Sequence, residues 1–133
     1  MLTNKDYCDY DTCVALKELG YIGQGRLYYA PDKDPNELKH FGIQVLTTRS
    51  AEALNFVLAV HLFDAQKWLR EVRNLHVEVG YDPILSWYVY RVWEHQDEIA
   101  EGEAFPSYED ALSTAIHMAV AYLKEISNGK TRI

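Results

Sequence analysis

Two stretches decide how this chain reads: Leu75-His76-Val77-Glu78-Val79 and Ser86-Trp87-Tyr88-Val89-Tyr90-Arg91-Val92-Trp93. In the first, Leu75, Val77 and Val79 alternate with His76 and Glu78, the pattern of a strand with one buried face. In the second, almost every residue is a β-former. Trp87, Val89, Arg91 and Trp93 point one way, and Tyr88, Tyr90 and Val92 the other. Tyr81-Asp82-Pro83 between the stretches is a turn signal. Large side chains on both faces predict a strand covered on both sides, or one whose second face makes contacts.

Toward the C-terminus, residues 94–103 hold five carboxylates and no Lys or Arg. They read as a solvated loop. Ser107-Tyr108-Glu109-Asp110 matches a capping box and starts a helix. Leu112, Ala115, Ile116, Ala119, Tyr122, Leu123 and Ile126 form its apolar face. Acids in the first turn and Lys124 near the end suit the helix dipole. Asn128-Gly129 is the expected stop.

Toward the N-terminus, Leu54, Leu58, Leu62, Ala65, Trp68, Leu69 and Val72 recur at helical spacing. They predict a helix over 51–73 with Ser50 as N-cap, broken near Phe63-Asp64 so that Asp64 caps a second piece. The run Leu54-Asn55-Phe56-Val57-Leu58-Ala59-Val60 also fits a buried strand. Residues 26–30 and 42–47 predict a strand pair around a polar turn at 31–40. Asp9 caps a first helix over 10–19, with Cys13, Leu16 and Leu19 on its apolar face and Gly20 at its end. Residues 1–8 read as a lead-in. The order is α-β-β-α-β-β-α. The expectation is an α+β domain with one antiparallel sheet of about four strands and three helices packed on it.

A length of 133 residues predicts a single domain with one real core. The 48% hydrophobic and 25% charged residues exclude a disordered or low-complexity chain. The net charge is −7, which argues against nucleic acid, because phosphate binding rests on Lys and Arg. Lys67, Arg70 and Arg73 are the best members of a local basic patch. No apolar run approaches the roughly 18–20 residues of a membrane span. The start of the chain lacks an apolar leader segment, so a cytoplasmic setting is expected. The two cysteines, Cys8 and Cys13, are spaced for neither zinc nor a redox pair. On one helix they would lie on different faces, and reduced packing thiols are expected.

No complete catalytic set is present. His76-Val77-Glu78 resembles the H-x-E of zinc deaminases, but no cysteine follows position 13 to finish the site. None of the five histidines makes an H-E-x-x-H pattern, so no metal site is expected. Gly23-Gln24-Gly25 is followed by Tyr28 where a phosphate loop needs glycine, and reads as a tight turn. No serine lies in a nucleophile elbow. The acids of 94–103 lack both EF-hand spacing and apolar surroundings. The excess is aromatic. Tyr28, Tyr29, Tyr88, Tyr90 and the tryptophans fall mostly on strands, as core or as a contact surface of the kind Tyr, Trp and Arg dominate. Arg91 beside Trp87 and Trp93 is placed for a cation–π pair.

The run Ala65-Gln66-Lys67-Trp68-Leu69-Arg70-Glu71-Val72-Arg73-Asn74-Leu75-His76-Val77-Glu78-Val79 resembles a core found in small uncharacterised proteins of prophages and mobile elements of gut anaerobes. In those proteins it precedes a Tyr/Trp-rich strand and a helix opened by Y-E-E-A-L, echoed by Tyr108-Glu109-Asp110-Ala111-Leu112. Their first helix is similar to Val14-Ala15-Leu16-Lys17-Glu18-Leu19-Gly20-Tyr21. Arg73 stands where they often carry His, and residues 50–63 match poorly. The resemblance implies a setting and no assigned activity. Ala100-Glu101-Gly102 with the same helix start is also similar to the end of HicB-type antitoxins.

The residues together lead to a non-catalytic accessory protein without cofactor, acting through a protein contact. The alternative is an antitoxin-like or regulatory protein that blocks a basic partner. The contact residues expected are Tyr88, Tyr90, Arg91 and Trp93, with Arg70 at the rim. A twofold homodimer through a sheet edge or the Tyr face stays open.

Overall fold

A strand needs a partner for every backbone N–H and C=O it buries, so the pairing of β-formers sets the architecture. The structure, a computed structural model, describes residues 4–42 and 44–127. It is an α+β fold that divides into two compact units, Met1–His61 and Leu62–Ile133.

In the first unit a 3-10 turn, Asn4–Asp6, precedes α1, Tyr10–Glu18. Asp9 caps α1 as predicted, its carboxylate accepting the Thr12 N–H at 2.9 Å. Gly20 follows with φ of 102°, a left-handed position where a side chain would be strained. Cys13 and Leu16 face the core, joined by Thr12. The chain then forms β1 (Gln24–Gly25), β2 (Leu27–Tyr29), β3 (Lys39–His40), β4 (Leu46–Thr47), α2 (Thr48–Ala53) and β5 (Val57–Leu58). β1 pairs with β4, and β2 lies between β3 and β5, all antiparallel.

This pairing corrects the expected hairpin of 26–30 with 42–47. Tyr28 stacks on Phe56 at 4.2 Å and meets Phe41 edge-on at 6.1 Å. These ring contacts draw β2 toward the segments around β5 and β3. Lys39 and His40, expected in a turn, are therefore strand, as is Gln24-Gly25. The helix over 51–73 is corrected too. Thr47, not Ser50, is the N-cap of α2, and Ser50 returns its hydroxyl to the Thr47 N–H at 2.8 Å. Asn55 breaks the helix with φ of 65°. Val57 and Leu58 are then buried as strand, the alternative reading of that apolar run. The helix resumes only as α3, Leu62–Val72, so Asp64 lies in its first turn and is not its cap.

α3 opens the second unit and is followed by β6 (Leu75–Asp82), β7 (Trp87–Glu94), β8 (Asp97–Glu101) and α4 (Tyr108–Ser127). The sheet order is β6-β7-β8. β6 and β7 pair without interruption from Leu75 opposite Glu94 to Asp82 opposite Trp87. β8 corrects the solvated loop expected at 94–103. It pairs with β7, and a register shift at Val92/Trp93 adds local twist. The described residues thus form two three-stranded sheets and one two-stranded sheet with four α-helices, not one sheet of about four strands with three helices. Ser107 caps α4 as predicted, its hydroxyl accepting the Asp110 N–H at 3.1 Å. Leu112, Ala115, Ile116, Ala119 and Leu123 are buried, joined by Ala111 and Val120, while Ile126 is exposed. The expected stop at Asn128-Gly129 lies outside the described residues.

Candidate contact surface

Alternation along β6 and β7 sorts their side chains onto two faces. Leu75, Val77, Tyr90 and Val92 are buried beneath α3 and α4, which pack against this sheet. The opposite face carries His76, Glu78, Gly80 and Asp82 from β6, set against Trp93, Arg91, Val89 and Trp87 from β7. Glu98 and Glu101 of β8 lie opposite Trp93 and Arg91. Within the second unit no described element covers this outer face.

The predicted contact residues separate accordingly. Arg91 and Trp93 stand on the outer face with Trp87. Tyr90 is corrected to a core residue, 5% exposed. Its ring packs against Gly102, where a Cβ would clash with the hydroxyl end of the ring, and its centre lies 6.2 Å from that of Phe105. Burial, and then the charge of Glu103, push its hydroxyl above the ordinary value. Tyr88 shares the inner face. It packs edge-on to Tyr81 at 5.4 Å and to Tyr108 at 5.9 Å. Its backbone exchanges hydrogen bonds with Phe105 at 2.7 and 2.8 Å. Arg70 is on α3, 3.8 Å from Glu71, a surface pair of little energetic weight.

The cation–π pair expected at Arg91 is instead seen at Arg73, whose guanidinium lies 5.9 Å from the Trp68 ring centre. Arg91 turns to Glu98, Nε to carboxylate 3.9 Å. Loss of solvent, then the hydrogen bond and charge of Glu101, push the Glu98 carboxyl up, while Arg91 pulls it down.

Sequence reasoning missed Ile84 and Leu85 at the hairpin tip, between Tyr81 and Trp87. Ile84 is 93% exposed, and Tyr81, Leu85 and Trp87 are 56%, 55% and 45% exposed. The tip is pre-organised. Asp82 accepts the N–H groups of Ile84 and Leu85 at 2.9 and 3.3 Å, and Ser86 turns the chain with φ of 57°. Clustered exposed apolar side chains mark contact sites in folded proteins. The signal was legible in principle: Ile84-Leu85 sits between a turn proline and a strand, where polar residues are usual.

Among the described residues, no group of three His, Cys, Asp or Glu could hold a metal ion. None of the described helices is long and apolar enough to cross a membrane. In the first unit a mixed-charge depression of about 440 Å³ is lined by Lys17, Tyr21, Ile22, Thr48, Arg49 and Glu52. Also there, Cys8 and Cys13 are free and buried. Cys8 precedes α1, so the two do not share a helix. The Cys13 thiol donates to the Cys8 carbonyl at 3.5 Å and accepts the Val60 N–H at 3.4 Å. No protein-family model, curated protein or solved structure matches the chain.

Proposed function

We propose that this chain is a small, non-catalytic, cytoplasmic accessory protein of the phage and mobile-element kind that its 65–79 motif resembles. It acts by protein contact through the outer sheet face of the second unit and the hairpin tip that continues it. The observation that carries this reading is the exposure of Ile84, Leu85 and Trp87 on a pre-organised hairpin. Ordering such a tip costs chain entropy, and exposing it forgoes about 1.5–3 kcal/mol for each large apolar side chain left unburied. Covering it with a partner recovers that energy. The second reading, a regulator that blocks a basic partner, is favoured by the carboxylates Glu78, Glu98 and Glu101 on the same face.

Site-specific photo-crosslinking in the native host tests the proposal. A photoreactive residue at position 84, 87 or 91 is expected to give one stoichiometric protein adduct. The same group at Met118 or Ile126, exposed on α4, is expected to give none. Adducts from α4 with none from the hairpin would overturn it.

A further inference from the structure

The outer face is organised in rows. Trp87, Val89, Arg91 and Trp93 occupy alternate positions of β7, a row about 20 Å long at ~3.3 Å per residue. The neighbouring β6 row is interrupted at Gly80. A Cβ there would meet nothing within 4 Å. The gap is a depression of about 260 Å³ lined by Glu78, Val79, Gly80, Val89 and Arg91. Asp82 and Trp87 form the next rung beyond it.

Charge decides what fits this face. Four carboxylates, Glu78, Asp82, Glu98 and Glu101, share it with the guanidinium of Arg91, which is already turned to Glu98, and with the imidazole of His76. A phosphate backbone or an anionic bilayer is repelled by such a surface. A second copy would set the same acids against themselves across a twofold axis. A cationic segment is attracted, and arginine adds stacking on tryptophan to pairing with carboxylate. An extended segment also presents alternate side chains at the repeat of the β7 row.

We propose that the outer face of β6-β7-β8 docks an extended, arginine-rich segment of a protein partner, with one of its side chains seated in the notch over Gly80 between Glu78 and Arg91. This rests on the contact function proposed above and names the chemistry of the partner.

The test uses the full chain and a fluorescein-labelled ten-residue peptide that alternates arginine with serine and leucine. Controls are the same peptide with glutamate for arginine, a single-stranded RNA of ten nucleotides, and phosphatidylglycerol vesicles. The arginine peptide is expected to bind, to change tryptophan fluorescence, and to weaken at least about fivefold between about 50 and 300 mM salt. The triple variant Glu78→Gln, Glu98→Gln, Glu101→Gln is expected to weaken it at least about tenfold. Asp32→Asn, Asp34→Asn, Glu37→Gln makes the same charge change in the first unit and is expected to alter it by less than about twofold. Gly80→Val fills open space on a strand, so it is expected to keep the fold, by circular dichroism, and to lose the binding.

Equal losses in both triple variants would overturn the proposal, as would tighter binding of RNA or vesicles. Self-association of the parent chain that Gly80→Val abolishes would give the face to a second copy and overturn it. If the arginine peptide fails while position 87 still cross-links in the host, the contact function stands and the basic partner falls.

Discussion

The two units are built from different grades of regularity. In Met1–His61 the strands are two or three residues long, and the helices are nine and six. In Leu62–Ile133 two strands of eight residues pair in continuous register and α4 runs for twenty. Where ladders are short, side chains supply what the backbone does not. Tyr29 donates its hydroxyl to the buried Cys8 carbonyl at 2.7 Å, and Cys13 donates to the same oxygen at 3.5 Å. Tyr10 stands edge-on to Tyr29 at 6.1 Å. The first unit thus adds side-chain links to a buried apolar set that includes Leu16, Leu27, Leu46 and Val60, and the second rests on an apolar layer between sheet and helices. Among the described residues, the second leaves the outer face of β6-β7-β8 without cover from its own helices.

The chain carries separate reporters for the two. All three tryptophans lie in Leu62–Ile133 and both cysteines in Met1–His61. Tryptophan fluorescence therefore follows the sheet unit, and thiol labelling the linked unit. The largest effect is expected at Tyr90. Truncating a buried aromatic removes packing and leaves a cavity, so Tyr90→Ala is expected to lower the fluorescence-read stability by about 3–5 kcal/mol. A change under about 1 kcal/mol would return Tyr90 to the surface. Next is Gly102→Ala, whose new methyl meets the Tyr90 ring. Overpacking of this kind costs about 1–3 kcal/mol, in the same denaturant titration.

Tyr29→Phe tests the other side of the comparison. It removes a buried donor and is expected to speed thiol labelling as if stability fell by about 1–2 kcal/mol. Unchanged labelling would mean that the Cys13 thiol alone satisfies the Cys8 carbonyl. A smaller effect follows from pH. The hydrogen bond with the Cys13 thiol, and then burial, push the Cys8 thiol well above its ordinary 9.0. Burial and the neighbouring thiols push the Tyr29 hydroxyl above its ordinary 10.0. In both, the folded chain keeps its proton to higher pH than the unfolded chain. Their contribution is complete below those ordinary values and is lost as pH rises past them. Thiol protection is expected to fall above about pH 9, and stability that rises there would contradict the arrangement.

The same contrast explains what the sequence revealed. β6, β7 and α4 were legible because their periodic runs are long and their ends carry signals, such as Asp82 and Ser107. The partition of β7 into a Trp87-Arg91-Trp93 face and a Tyr88-Tyr90 face was also legible. Which face lay inside was not, because both carry large rings, and so Tyr90 was expected to make contacts. β8 was hidden because its carboxylates, Glu98 and Glu101, fit a sheet face only if that face is open. The short ladders were hidden because two residues carry no period. Val57 and Leu58 lie within a helical spacing, and only the left-handed turn at Asn55 takes them out of it. Gly102 also has a packing role, because a side chain there would meet the Tyr90 ring.

The central claim is that the outer face of the sheet is for contact while the inner face is for folding. Its most direct measurement is a paired one on Trp87→Ala, Arg91→Ala: stability by denaturant titration, and capture of the partner cross-linked from position 84. Surface truncations predict stability within about 1 kcal/mol of the parent together with loss of capture. Collapse of cooperative unfolding, or full capture by the double variant, would contradict it.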